Sequence, residues 1–269
     1  MSSEARIFSV LSGKGGTGKT NICVNLGVAI QRLGKRVLII DGDLGLANVE
    51  VILGLTPKYT LYDAIYRNVD LESVVTYGPE GILVIPGGSG ALELSKIDPY
   101  RQEILIEKLI KLGSNVDYVF IDGGAGIHQD VLSFASGSDE ILLVMTPEPT
   151  ALADAYTLIK AISLSGAKKD IKIIVNRVKD PGEGEDTASR LNILLERFLK
   201  FSVSYLGSIP DDIWVERAVK EQTLFVTRYP FSKSARAISD IALKLTGSER
   251  KGVGFRGFFR NILEKVSIK

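Results

Sequence analysis

Short apolar, β-branched runs recur along the chain at 7–11 (IFSVL), 36–40 (RVLII), 82–86 (ILVIP), 118–121 (YVFI), 141–145 (ILLVM), 171–175 (IKIIV) and 203–207 (VSYLG). They are nearly continuous in apolar residues, which is how a parallel strand covered on both faces reads. The segments 20–33, 100–113, 149–165 and 186–201 repeat apolar residues at helical spacing, and a last body helix is expected over 232–246. Strands alternating with helices predict an α/β fold: a doubly wound, mostly parallel sheet of about seven or eight strands flanked by helices. No internal repeat or low-complexity segment breaks the pattern. It divides the chain into a body over 1–246, a linker at 247–254 (GSERKGVG) and an amphipathic helix over 255–268.

In such sheets ligands sit beyond the carboxyl ends of the strands, so polar residues there come first. After the first strand stands SGKGGTGKT (12–20), in which Gly13, Gly18, Lys19 and Thr20 satisfy G-x-x-x-x-G-K-[ST]. Gly13, Gly15, Gly16 and Gly18 remove side chains, so that the backbone N–H groups of the loop, Thr17 included, can wrap a phosphate at the start of a helix. Lys19 would reach the β- and γ-phosphates of a nucleotide, and the Thr20 hydroxyl would ligate Mg²⁺. Lys14 is a second lysine that the pattern does not need.

Asp122 ends an apolar strand in the manner of a Walker-B acid, holding Mg²⁺ directly or through water. Asp41 and Asp43 follow RVLII two residues apart, so their carboxylates can share a side. One could hold the metal's water shell while the other orients an attacking water. Asn176 and Arg177 follow IKIIV, where a carboxamide can pair with a purine edge. His128, the only histidine, reads as a surface residue at a helix start.

Charge and cysteine content narrow the classes. The net charge is +1, yet Arg250 to Lys269 carries six Lys or Arg and one Glu, leaving the preceding body slightly acidic. Cys23 is the only cysteine, reads as buried on a helix, and rules out an intrachain disulfide or a single-chain cysteine cage. The N-terminus lacks a signal-peptide layout and no apolar run approaches the ~20 residues of a membrane span, so a cytoplasmic protein is expected.

The loop KGGTGKT, with lysine directly after its first glycine, resembles the deviant Walker A of the MinD/ParA ATPases, a SIMIBI-type branch of the P-loop NTPases. Within them, DGDLGLANVEVILGLTPKYTLYDAI (41–65), VIPGGSG (84–90), TPEPTALADAYTLIK (146–160) and LGSIPDD (206–212) are similar to the FlhG group, also called YlxH or FleN, which regulates flagellar placement and number. The resemblance covers 5–246. It implies a Mg-ATP-dependent switch that sandwiches ATP between two subunits, binds the inner face of the cell membrane as a homodimer, and returns to a cytosolic monomer on hydrolysis. It implies that Lys14 crosses to the partner's nucleotide while Lys19 serves its own, that Asp43 positions the hydrolytic water, and that Asp41 supports the metal. Pro210 joins Asn176 and Arg177 among the implied nucleotide contacts. Flagellar assembly proteins, the GTPase FlhF or basal-body components, are the implied partners.

Two departures qualify this. The usual acid–threonine pair reads Asp122-Gly123, removing a hydroxyl near the γ-phosphate. The N-terminal activator helix of FlhG proteins that stimulate FlhF has no counterpart before the first strand, which puts GTPase activation in question. Competing readings are a MinD-like cell-division regulator and a ParA-type DNA-partition ATPase. The acidic body argues against the latter, so no specific nucleic acid is expected. Iron–sulfur relatives need paired cysteines.

In the tail, Phe255, Phe258, Phe259, Ile262, Leu263 and Val266 fall within an arc of roughly 140° on a helical wheel, with Arg256, Arg260, Glu264 and Lys265 outside it. Three phenylalanines flanked by cations behind a linker fit an in-plane helix on an anionic membrane. Docking on the body or on a partner would use the same stripe.

Overall fold

The computed structural model describes residues 4–43, 48–87, 99–166, 169–247 and 252–266. Residues 44–47, 88–90 and 248–251, which belong to stretches singled out above, lie outside them. The first half of the chain runs β1 (Arg6–Ser12), α1 (Lys19–Arg32), β2 (Val37–Gly42), α2 (Val49–Leu53), α3 (Leu61–Tyr66), α4 (Leu71–Val74), β3 (Thr76–Tyr77), β4 (Leu83–Ile85) and α5 (Pro99–Gly113). The second half runs β5 (Tyr118–Ala125), α6 (Gln129–Gly137), β6 (Glu140–Met145), α7 (Pro149–Leu164), β7 (Asp170–Val178) and α8 (Pro181–Leu199). It ends with β8 (Ser204–Pro210), α9 (Ile213–Lys220), α10 (Phe225–Arg228), α11 (Lys233–Thr246) and α12 (Gly254–Val266).

Among the described residues eight strands form one sheet in the order β3-β4-β2-β5-β1-β6-β7-β8, parallel except for β3 against β4. Alternate residues of each strand feed opposite faces. Phe8, Val10, Ile39 and Phe120 pack with α1, α10 and α11 on one side. Ile7, Leu38, Val119 and Ile121 pack with α5 and α12 on the other, where Leu143, Ile173 and Val175 pack with α7 and α8. β1 lies between β5 and β6, so the chain leaves it in opposite directions and a crevice opens beyond its carboxyl end.

Local chemistry fixes the helix starts. Pro149 and Pro181 occupy first turns, and the Asp180 carboxylate accepts from Glu183 N at 3.0 Å. That cap starts α8 five residues before the helical spacing suggested. β3 and the short helices between residues 49 and 74 were not anticipated; each is too short to show a period.

The tail differs from a free unit behind a linker. α12 lies on the body, with Phe255, Phe258, Phe259 and Ile262 buried against Ala5, Leu105, Leu109 and Phe134. Glycine sockets make this possible: a Cβ on Gly113 would lie 2.3 Å from the Phe255 ring, and one on Gly137 2.6 Å from that of Phe258. The entry to the helix is pinned too, Val253 N donating to Asp139 Oδ1 at 2.9 Å and Gly254 N to the Ala5 carbonyl at 3.3 Å. Leu263 is half-buried, and the Val266 side chain lies outside the described residues. Among the described residues no helix is long and apolar enough to cross a membrane.

Candidate nucleotide site

The loop between β1 and α1 is shaped by two close approaches. A Cβ on Gly13 would stand 2.4 Å from the Asp154 carbonyl carbon of α7. Gly18, at φ +86°, would put one 2.4 Å from Asn176 Nδ2. A Cβ at Gly15 or Gly16 would meet nothing within 4 Å, so that side of the loop is open. α1 has neither a side-chain cap nor an acidic residue in its first turn, which leaves its N-terminal N–H groups and positive dipole end for an anion.

Lys19 is buried and its Nζ sits 2.8 Å from Asp122 Oδ1, while the Thr20 hydroxyl also bonds the Asp122 carboxylate. Asp122 Oδ2, fully buried, has no hydrogen-bond partner, nor does the buried Thr17 Oγ1. Burial pushes the Asp122 carboxyl above the usual carboxylate range, against the pull of Lys19 and Thr20. An orphaned buried carboxylate oxygen beside a hydroxyl is what a hydrated divalent cation would satisfy, so the donor set fits Mg²⁺. Among the described residues no group of three or more His, Cys, Asp or Glu is placed to hold a metal, so phosphate oxygens would have to complete the shell.

Asp41 and Asp122 are register partners on adjacent strands, as are Gly42 and Gly123. Asp41 is fully buried; its Oδ1 accepts from Asp43 N at 3.0 Å and its Oδ2 from Asn48 N and Val49 N at 3.1 and 3.2 Å. It thereby ties the end of β2 to the N-terminus of α2. Burial, then the Asp122 charge, pushes its pKa up to about 7 against those backbone donors. Asn48 Nδ2 reaches Asp43 Oδ2 at 3.4 Å, so one residue holds both acids. Sequence reasoning passed over Asn48; its signal was an Asn just before VEVIL, the position of a helix cap.

Lys14 is directed elsewhere. Its Nζ lies 3.1 Å from Thr150 Oγ1 and 3.7 Å from Glu148 Oε2, with a third of the side chain exposed. Asn176 and Arg177 lie inside β7. The Asn176 amide donates to the Thr17 carbonyl at 2.8 Å, clasping the loop, and Arg177 stands exposed at φ +59° where the pairing with β8 slips. With Gly18, Pro210, Asp212 and Ile213 they line an open pocket of about 690 Å³, wide enough for a purine and ribose. His128 is the exposed residue preceding α6, and Cys23 is buried, its thiol pushed up by desolvation.

One place thus gathers residues 13–20, Asp41, Asp43, Asp122, Asn176, Arg177 and Pro210. The apolar stripe of α12 is not among them: that helix starts beside Ala5, at the opposite end of β1.

Residues 8–225 match the family described as the CobQ/CobB/MinD/ParA nucleotide binding domain. The chain belongs to this family. It is a MinD/ParA-type ATPase. It is 38% identical to the antiactivator FleN of Pseudomonas aeruginosa over 89% of this chain and 86% of that one. It is 31% identical to the flagellum site-determining protein YlxH of Helicobacter pylori, over 97% and 90%. The fold is similar to that of the Pyrococcus furiosus cell division ATPase MinD, at a TM-score of 0.72 and 29% identity, covering 90% of this chain and 99% of that one.

Proposed function

We propose that this MinD/ParA ATPase is a Mg-ATP-gated dimer that regulates the placement or number of flagella from the membrane surface. Similarity to FleN and YlxH over most of their lengths supports the flagellar role. The observation that carries the switch is the division of labour between two lysines. Lys19 is buried and committed to its own Asp122, while Lys14 rests partly exposed on Thr150 and Glu148, free to be drawn across to a second subunit's phosphates.

Bound Mg²⁺ would supply charge neutralisation on the β- and γ-phosphates, held by Thr20 and Asp122 with Asp41 behind. Lys19 would leave Asp122 for the phosphates, and the α1 N-terminus would cradle them. Asp43, steadied by Asn48, would orient the attacking water. Asn176, one amide hydrogen engaged by the Thr17 carbonyl, would offer its carbonyl oxygen to the exocyclic amine of adenine, with Arg177 and Pro210 flanking the base.

The α12 stripe would serve the membrane only after leaving its groove. Each large side chain gains ~1.5–3 kcal/mol on burial in either place, so the two homes nearly balance. Each basic residue near an anionic leaflet adds ~1 kcal/mol, and Arg256 and Arg260 are exposed for it. Two copies on one dimer multiply the effect.

The near-complete burial of Phe255, Phe258 and Phe259 favours a second reading, in which α12 is a fixed structural helix. Co-sedimentation with anionic liposomes separates the two. Asp43→Ala should bind ATP, dimerise and pellet with liposomes while hydrolysing about 100-fold more slowly, and loss of residues 252–269 should abolish pelleting. Pelleting by neither protein in ATP would leave the structural reading. Retardation of plasmid DNA without liposome binding would favour a DNA-partition role.

A further inference from the structure

We propose that α6 is the element that couples the acids of the nucleotide site to the dock of α12, through Phe134 and Gly137. This rests on the reading of α12 as a releasable helix. Gly42 stands between Asp41 and Asp43, and Gly123 follows Asp122. A Cβ at Gly42 would lie 2.9 Å from the Phe134 ring, and one at Gly123 3.5 Å from it. The buried ring is therefore the seat on which both acid-bearing strand ends rest. Phe134 and Gly137 are three residues apart, on neighbouring faces of one helix. Gly137 is the socket for Phe258, and both rings belong to one continuous core cluster.

The end of α6 is tied to the entry of α12. The Phe134 carbonyl accepts from Ser9 Oγ of β1 at 2.9 Å and from Ser138 N at 3.0 Å. Asp139, two residues past Gly137, accepts from Ile7 N at 2.7 Å and from Val253 N at 2.9 Å through its two oxygens. One short helix thus touches Gly42 and Gly123 on one side and holds the ring and backbone clasp of α12 on the other.

A packed interior has no slack to absorb a shift, so it answers in steps. When metal and γ-phosphate reposition the three acids, Gly42 and Gly123 move with them and the Phe134 ring must reseat. Turning α6 to follow that ring moves Gly137 from under Phe258 and strains the Asp139–Val253 bond. Phosphate contacts at one end of the sheet are thereby converted into loosening of α12 at the other.

Hydrogen exchange of the amides of 252–263 in the full chain, with Mg-ADP and with a non-hydrolysable Mg-ATP analogue, reads this without a membrane. In wild type the analogue should speed exchange in α12 by about tenfold. Phe134→Ala should bind the analogue yet reduce that response to less than about twofold. Phe134→Leu, which keeps apolar volume without the ring, should fold and show a partial loss. Gly137→Ala should speed exchange in both nucleotide states. A full response in Phe134→Ala, or none in wild type, overturns the coupling. Liposome binding by wild type is scored separately: pelleting without any change in α12 exchange sinks the coupling and leaves the membrane role. A full exchange response without pelleting does the reverse.

Discussion

At Gly15 and Gly16 an absent side chain leaves open space beside the loop after β1, whereas at Gly113 and Gly137 it leaves sockets that Phe255 and Phe258 of the same chain already fill. Both regions depend on glycine for a close approach, one to a ligand and one to the protein itself. The first is held by strongly coupled charges around Lys19, Asp41 and Asp122; the second is apolar, closed by one carboxylate at Asp139. On the proposed function, charges that a ligand can rearrange would make the first region a sensor. Apolar burial that a membrane can equally provide would make the second an output.

The comparison breaks most readily at the charged end. Lys19→Ala removes the cation buried against Asp122 and should lower nucleotide affinity by about 100-fold or more, measured by titration calorimetry. At the apolar end Gly113→Val drives two methyl groups into the Phe255 ring. Overpacking of this kind costs about 1–3 kcal/mol, so thermal unfolding should fall by several degrees, with nucleotide affinity unchanged. If it instead weakened ATP binding, the regions would be less separate than their packing implies.

The smallest effect concerns pH. Asp41 has a folded-state pKa raised to about 7, so the folded chain holds a proton there that the unfolded chain has released. Its contribution to stability is present below the ordinary carboxylate value and lost as pH rises through about 7. Without nucleotide, thermal stability should therefore decline between about pH 4 and 7, and Asp41→Asn should lessen that decline. An unchanged slope in Asp41→Asn would mean that the decline belongs to the other raised carboxyls, Asp122 and Asp139.

The sheet was legible because its strands are continuous apolar runs, and the glycine loop because its pattern is local, a nine-residue stretch that joins a strand to a helix. What could not be read joins residues far apart in the chain. Asn176 clasping Thr17 and Asp139 clasping Val253 are set by topology, and neither leaves a local pattern. The tail was legible as amphipathic, but not as docked. Helical spacing gives the apolar face, and only the sockets at Gly113 and Gly137 say what covers it. Gly123, a departure in sequence, has a packing reason: a Cβ there would lie 2.6 Å from the Leu11 side chain.

Sizing of the wild type and Lys14→Ala by light scattering, each with Mg²⁺ and a non-hydrolysable ATP analogue, addresses the dimer most directly. Wild type should elute as a dimer, and Lys14→Ala should remain a monomer while still binding the analogue through Lys19. A Lys14→Ala dimer as stable as wild type would mean that the second lysine serves only its contacts with Thr150 and Glu148, and that the loop does not gate association.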